Sequence, residues 1–346
     1  MTSALKLDLR DVSTFPTRRD EAWRYSDFRR AAPANIEVAA PIASPEPGGP
    51  FAAVHGDELT FANGRTAAGA AHAELILEGG VQRLRFVTEA DGAGWQAEVA
   101  LRVAAGARVT LLETYEGQGA YVASAHLGFV LEAGAALERI VLLVEPADAV
   151  SVSIATVALA PSASFAQTVV VTGAKLQRHE THVVHPGEGG QVRMDGVYLL
   201  GGARHADLTT IVDHTGPGGT TNQLTKGVAT DAGRAVFQGR IVVERGADQT
   251  DARMRHDALL LSDRAEIDAK PELQINADDV SCAHGNTVGA LDAAALFYIQ
   301  SRGVPEAEAK TLLTQAFVGE VLARIEHEGA RDIVQAFVSE RLEGLM

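Results

Sequence analysis

Residues 271–317 read PELQINADDVSCAHGNTVGALDAAALFYIQSRGVPEAEAKTLLTQAF, and two periodicities meet inside this stretch. Leu273, Ile275 and Ala277 alternate with Gln274 and Asn276, and Val280, Cys282 and His284 alternate with Ser281 and Ala283. Both are strand patterns. Asp278-Asp279 predicts a turn between them, and Gly285-Asn286 predicts a second one. Asp292 has the chemistry of a helix cap, and everything after it has helical spacing. The stretch also holds the only cysteine, Cys282, two residues before His284. In an extended strand the two side chains share a face, with Cα atoms roughly 6.5 Å apart. Thiolate and imidazole suit soft or borderline metals, and thiolate is the usual ligand of iron–sulfur clusters. Two donors do not complete a site. A buried free cysteine beside a structural histidine gives the same local pattern.

Toward the N-terminus the runs are short and β-like: LILEGG, RLRFVTE, RVTLLETYEG, RIVLLVE, FAQTVVVTG. Val, Ile and Thr are frequent, Gly, Asp and Pro punctuate, and no long helical pattern intervenes, which argues against alternating strands and helices. Gly106-Ala107-Arg108-Val109, Gly134-Ala135-Ala136-Leu137 and Ser162-Ala163-Ser164-Phe165 recur at a step of 28 residues, each opening an apolar run. A constant step of this size predicts stacked coils, a β-helix, with a β-sandwich as the alternative. Further back, residues 15–30 (FPTRRDEAWRYSDFRR) predict one or two short helices anchored by Trp23, Tyr25 and Phe28, and the Pro-, Ala- and Gly-rich residues 31–50 predict a linker. The expected division is 1–50, a helical segment and linker; 51–290, the β core; 291–346, a helical domain.

Toward the C-terminus, DAAALFYIQSRG predicts a helix stopped by Arg302-Gly303, and Pro305 suits the first turn of a second. Leu312, Leu313, Ala316, Phe317, Val321, Leu322 and Ile325 form one apolar stripe on it. A third helix, from about Asp332, carries Ile333, Val334, Phe337, Val338, Leu342 and Leu345. These stripes are more apolar surface than two short helices bury against each other. Phe317, Val321, Leu322, Ile325, Ile333, Val334, Phe337 and Val338 are therefore expected to serve in part as a docking face for a partner.

Composition bounds the function. The 346 residues are 46% hydrophobic and 22% charged, with a net charge of −15. That balance disfavours a nucleic-acid groove or an anionic lipid surface as partner. A single cysteine excludes an internal disulfide and a CxxC-type zinc site, and it fits a reducing, cytoplasmic setting. The opening residues lack the apolar core of a secretory leader, and no run approaches a membrane span. His179, His182 and His185 follow a three-residue step that would put His182 opposite the other two on a strand. A metal-dependent β-protein built on them is one rival reading. Asp207 and Asp213, near His214 and a glycine-rich turn, could do acid–base work in a stand-alone β-helix enzyme, the other rival. No GxSxG elbow or phosphate-binding loop occurs, and Lys226 reads as a solvated loop residue.

Residues 207–317 as a whole resemble the SufB/SufD family of iron–sulfur cluster assembly proteins. The segments DVSCAHGNTVG and LFYIQSRG are the most specific part of the match. Phe15-Pro16-Thr17 and Glu21-Ala22-Trp23-Arg24-Tyr25 resemble the family's opening segment. The CxHG form is similar to the SufD branch, because SufB-type chains carry HEA there. The resemblance implies a mainly β fold: a right-handed parallel β-helix core with a short helical N-terminal segment and an α-helical C-terminal domain. It implies a non-catalytic scaffold that docks the SufC ATPase on its C-terminal helices and pairs with SufB along the β-helix, or with itself when isolated. An iron–sulfur cluster would pass transiently through the interface with SufB, none being bound by the isolated chain. His284 is then the candidate ligand, and Cys282 is a second donor or the packing behind it.

Overall fold

In the computed structural model, which describes residues 7–43, 45 and 47–345, two nine-stranded sheets make up most of the chain. The first six residues of the expected N-terminal segment lie outside the described residues. Every strand-to-strand pairing in the two sheets is parallel. From Asp57–Ala62 onward successive strands alternate between the sheets, so each strand pairs with those two before and two after it. That connectivity is a parallel β-helix of about eight turns, as the repeat and the resemblance led us to expect.

The 28-residue step is the turn that enters one of the sheets, here sheet B. Its register joins Arg108 to Ala136 and Ala136 to Ser164. Gly106, Gly134 and Ser162 each lie two residues earlier with φ of 69°, 67° and 59°. Gly189, Gly218 and Gln249 occupy the same place in the next coils, again with positive φ. The left-handed residue bends the chain onto the sheet at a fixed distance from the strand, which is why glycine recurs there. Beyond Ser164 the register joins Gln191, Thr220 and Asp251 at steps of 27, 29 and 31 residues, so the repeat fades from the sequence while the geometry persists.

Three apolar layers hold the solenoid. The lumen is filled by residues such as Phe61, Phe86, Leu111, Leu137, Phe129 and Phe165. The outer face of sheet B, including Leu112, Ile140, Leu142, Val170, Val197 and Leu199, is covered by the C-terminal helices. Strand Ala136–Val144 therefore buries both faces, and from Ile140 onward it reads as a continuous apolar run. The outer face of sheet A, through Val122, Val150, Val152 and Ile154, is covered by Leu7, Leu9, Phe15, Trp23 and Phe28 of the N-terminal segment. That segment has two 3₁₀ turns and the short helix α1, Phe28–Ala31. The expected linker is partly structured: Glu37–Val38 pairs with Ala93–Gly94, and Ala39 is buried beside it.

Three helices follow the β-helix: α2, Ala293–Ser301; α3, Glu306–Leu322; α4, Glu328–Glu343. Asp292 caps α2 by accepting from the backbone N–H of Ala294 and Ala295. The last helix starts four residues before the expected Asp332. His327 caps it, its Nδ1 accepting from Ala330 N–H, a role the usual cap residues do not signal. Among the described residues no helix is long and apolar enough to cross a membrane.

Candidate functional site

The candidate site is the last coil. Strands Glu266–Ile275 and Ser281–Gly289 are the final strands of sheets A and B, each paired on one side only. Their free edges carry unsatisfied backbone groups, and Ile275 and Val288 are more than 40% exposed. Gly285 and Asn286 are not a turn, contrary to the sequence expectation. The ladder to strand Asp251–Leu260 runs on through Arg255–Gly285 and His256–Asn286 to Leu259–Gly289, and this pairing outweighs local turn preference.

That register decides where the donors point. Cys282 lies beside Ala252, His284 beside Met254, Asn286 beside His256 and Val288 beside Ala258. Ala252 and Met254 belong to the apolar plug at this end of the lumen, with Phe237, Ile241 and Val243. Cys282 and His284 thus share the lumen face of the last strand, as the strand pattern predicts. Cys282 is half-buried and packs on that plug. Burial pushes its thiol above the ordinary value, a backbone hydrogen bond with Ala252 opposes this, and the charge of Asp251 adds to it. A thiol held this way is a poor thiolate donor at neutral pH. His284, by contrast, is exposed on the open end. Among the described residues no group of three or more His, Cys, Asp or Glu is placed to hold a metal ion.

Asn286, which sequence reasoning had placed in a turn, is tied into the lumen. Its Oδ1 is 2.7 Å from Nδ1 of His256, and Nε2 of His256 is 2.9 Å from the hydroxyl of Tyr198. Only the ladder register could have revealed this, because 88 residues separate Tyr198 from Asn286 in the sequence.

The rival sites dissolve into structure. His179, fully buried, is 2.7 Å from the Ser153 hydroxyl and 3.5 Å from Arg139. Burial, then the Arg139 charge, holds its imidazole well below the ordinary value. His182 lies on the outer face 2.8 Å from Asp213, while His185 stacks on His214 in the lumen at 4.5 Å. The three histidines do not converge. Asp207 is fully buried and accepts from Arg178 at 2.7 Å, from Ser26 at 2.5 Å and from Thr209 at 2.9 Å. Trp23 covers the Arg178 guanidinium at 4.2 Å. Asp207 therefore anchors the N-terminal segment. Lys226 is not a solvated loop residue. It is buried on strand Thr220–Ala229, ion-paired with Glu320 of α3, with Nζ 4.4 Å from the Phe317 ring centroid.

The helical stripes are corrected in the same way. Val321, Leu322, Ile325, Val334 and Val338 are at most 2% exposed and pack on the outer face of sheet B. Phe317, Ile333 and Phe337 are partly buried against the same cluster. A β-helix that leaves one sheet face apolar takes up the five covered residues itself, while Phe317, Ile333 and Phe337 keep part of their surface open. The large apolar side chains that the helices leave most open are elsewhere: Phe297 (72% exposed) and Tyr298 (59%) on α2, and Leu312 (45%) on α3.

Residues 86–317 match the model of the SUF system FeS cluster assembly SufBD core domain. The chain is 36% identical over 181 residues to the iron-sulfur cluster assembly protein SufD of Escherichia coli, covering 52% of this chain and 43% of that protein. It is 33% identical over 233 residues to the chloroplastic protein ABCI7 of Arabidopsis thaliana (66% and 49%), and 31% identical over 142 residues to SufD of Bacillus subtilis (41% and 32%). It spans less than half the length of each of these three relatives.

Proposed function

The chain belongs to the SufBD family of the SUF iron–sulfur assembly system, and from that premise we propose that it is a SufD-like, non-catalytic scaffold subunit whose last coil meets SufB. The observation that carries the reading is the open terminal coil, with His284 exposed on its lumen face and, among the described residues, no complete ligand set around it. A nascent cluster needs more donors than one imidazole and one protonated thiol. The rest would come from the partner whose own terminal strand docks against this edge, so the cluster is shared cargo that the isolated chain does not hold. Neutral imidazole ligates iron through one nitrogen, and Cys282 serves as packing behind it. The ion pair of buried Asp207 with Arg178 and the contact of Asp213 with His182 occupy these carboxylates in the fold, which supports a scaffold over a β-helix hydrolase.

The SufC ATPase docks, in this reading, on α2 and the exposed side of α3 around Phe297, Tyr298 and Leu312, a helix-face recognition surface. The test is the complex co-purified anaerobically with its SufB and SufC partners. His284→Ala should leave assembly intact while iron, acid-labile sulfide and visible absorbance fall by roughly tenfold, the scale of a lost ligand. Cys282→Ala should lower them by less. Unchanged cluster content in the His284→Ala complex would remove His284 from the site.

A further inference from the structure

We infer that Asn286, held from inside the lumen by His256 and Tyr198, is a positioning residue that fixes the last strand so that His284 is aimed out of the open end. The inference rests on the reading of His284 given above. His284 and Asn286 are two residues apart on one face of strand Ser281–Gly289. An edge strand with a ladder on one side only frays readily, because half its backbone groups have no strand partner. Two side-chain ties oppose this. On the lumen face Asn286 meets His256 at 2.7 Å, and on the outer face the Thr287 hydroxyl donates to Asp257. Asn286 and Thr287 are thus held from opposite sides, two and three residues after His284.

The inner tie is built from rigid parts. His256 is fully buried and lies flat on Phe237, with ring centroids 4.7 Å apart and planes within 7°. Its far nitrogen is held by the fully buried Tyr198. Space for this column is made by two glycines. A Cβ on Gly227 would come within 1.8 Å of the Tyr198 ring, and one on Gly239 within 2.0 Å of the Met254 sulfur. A neutral imidazole offers one donor and one acceptor: Nδ1–H of His256 donates to Asn286 Oδ1, and its Nε2 accepts from the Tyr198 hydroxyl. The column therefore has no unsatisfied ring nitrogen and one exit to the surface, at Asn286. A ligand held by a locked neighbour reaches its cargo without first losing conformational freedom.

The test uses Asn286→Ala, His256→Phe, which keeps the ring stack without the hydrogen bond, and the double variant, with His284→Ala alongside. Hydrogen exchange over residues 281–289 of the full chain should accelerate at least about tenfold in each single variant, the factor expected from one lost hydrogen bond of about 1.4 kcal/mol. Cluster content of the purified complex should drop about threefold, with an altered visible circular dichroism spectrum. The double variant should be no worse than His256→Phe alone, because that variant has already broken the bond that Asn286→Ala removes. If His284→Ala loses cluster while Asn286→Ala changes neither exchange nor cluster, the inference is overturned and the reading of His284 stands. If His284→Ala keeps its cluster, that reading fails and takes the positioning role with it. Asn286 lies on an exposed strand, so its variant decides the matter even should His256→Phe not fold.

Discussion

The residues that hold the helical region together and the residues proposed above to dock the ATPase are different ones, so their roles can be separated by substitution. Leu342 of α4 is completely buried in the cluster that covers sheet B. Truncating a buried leucine to alanine removes its transfer free energy and leaves a cavity, about 2–5 kcal/mol together. At about 2 °C per kcal/mol for a large chain, Leu342→Ala should lower Tm by roughly 4–10 °C. Phe297 is 72% exposed on α2, so Phe297→Ser forfeits little burial and should cost about 1 kcal/mol or less. Binding should show the reverse. An aromatic anchor in a docked helix is worth about 2 kcal/mol, or roughly a thirtyfold rise in Kd. Phe297→Ser combined with Tyr298→Ser should then weaken the ATPase subunit by at least that factor, while Leu342→Ala, kept well below its Tm, should bind normally. The two measurements are a thermal melt and a calorimetric titration of purified subunits. If the folded Leu342→Ala protein loses the ATPase and the Phe297, Tyr298 variant retains it, the buried stripes are the docking face after all.

Three further outcomes follow from the interior. Arg139 is fully buried, bidentate to Glu113 with both contacts at 2.8 Å, and 2.6 Å from Gln167. Arg139→Met alone should cost about 3–5 kcal/mol in urea unfolding by stranding the carboxylate, and Glu113→Leu added to it should recover most of the loss; a single variant within 1 kcal/mol of the parent would contradict this. Gly227→Ala should destabilise by about 3 kcal/mol or more through collision with the Tyr198 ring, and Tyr198→Ala on that background should restore folding, as judged by circular dichroism. Burial, with the neighbouring His185, depresses His214 to about 3, so the folded state refuses a proton that the unfolded chain takes up near 6.5. The stabilisation is complete above pH 6.5 and is lost as pH falls toward 3. Between pH 7 and pH 5 it amounts to about 2 kcal/mol, a slope that His214→Gln should remove from the pH dependence of unfolding.

The sequence by itself determined the class of the fold. Strand periodicity, the 28-residue recurrence that opens three of the sheet B strands, and the helical stripes are all written in the linear chain, and each is visible without knowing what the elements pack against. The same holds for the shared face of Cys282 and His284, which follows from a period of two. Tertiary structure alone decided what those faces meet. An amphipathic stripe states that a helix will be covered, yet Val334 and Val338 are buried in one cluster with Ile140, Leu142 and Val197, well over a hundred residues earlier, and that burial is what takes them out of reach of a partner. Lys226 carried no sign in its own segment of the Glu320 carboxylate and Phe317 ring that hold it. Gly285-Asn286 has the composition of a turn and became strand because a parallel neighbour offered it a ladder. The Tyr198–His256–Asn286 column arises from stacking coils of 29 to 31 residues, a register set by turn lengths that vary from coil to coil. In a solenoid the contacts that matter lie one coil apart, so any drift in turn length hides them from the linear chain.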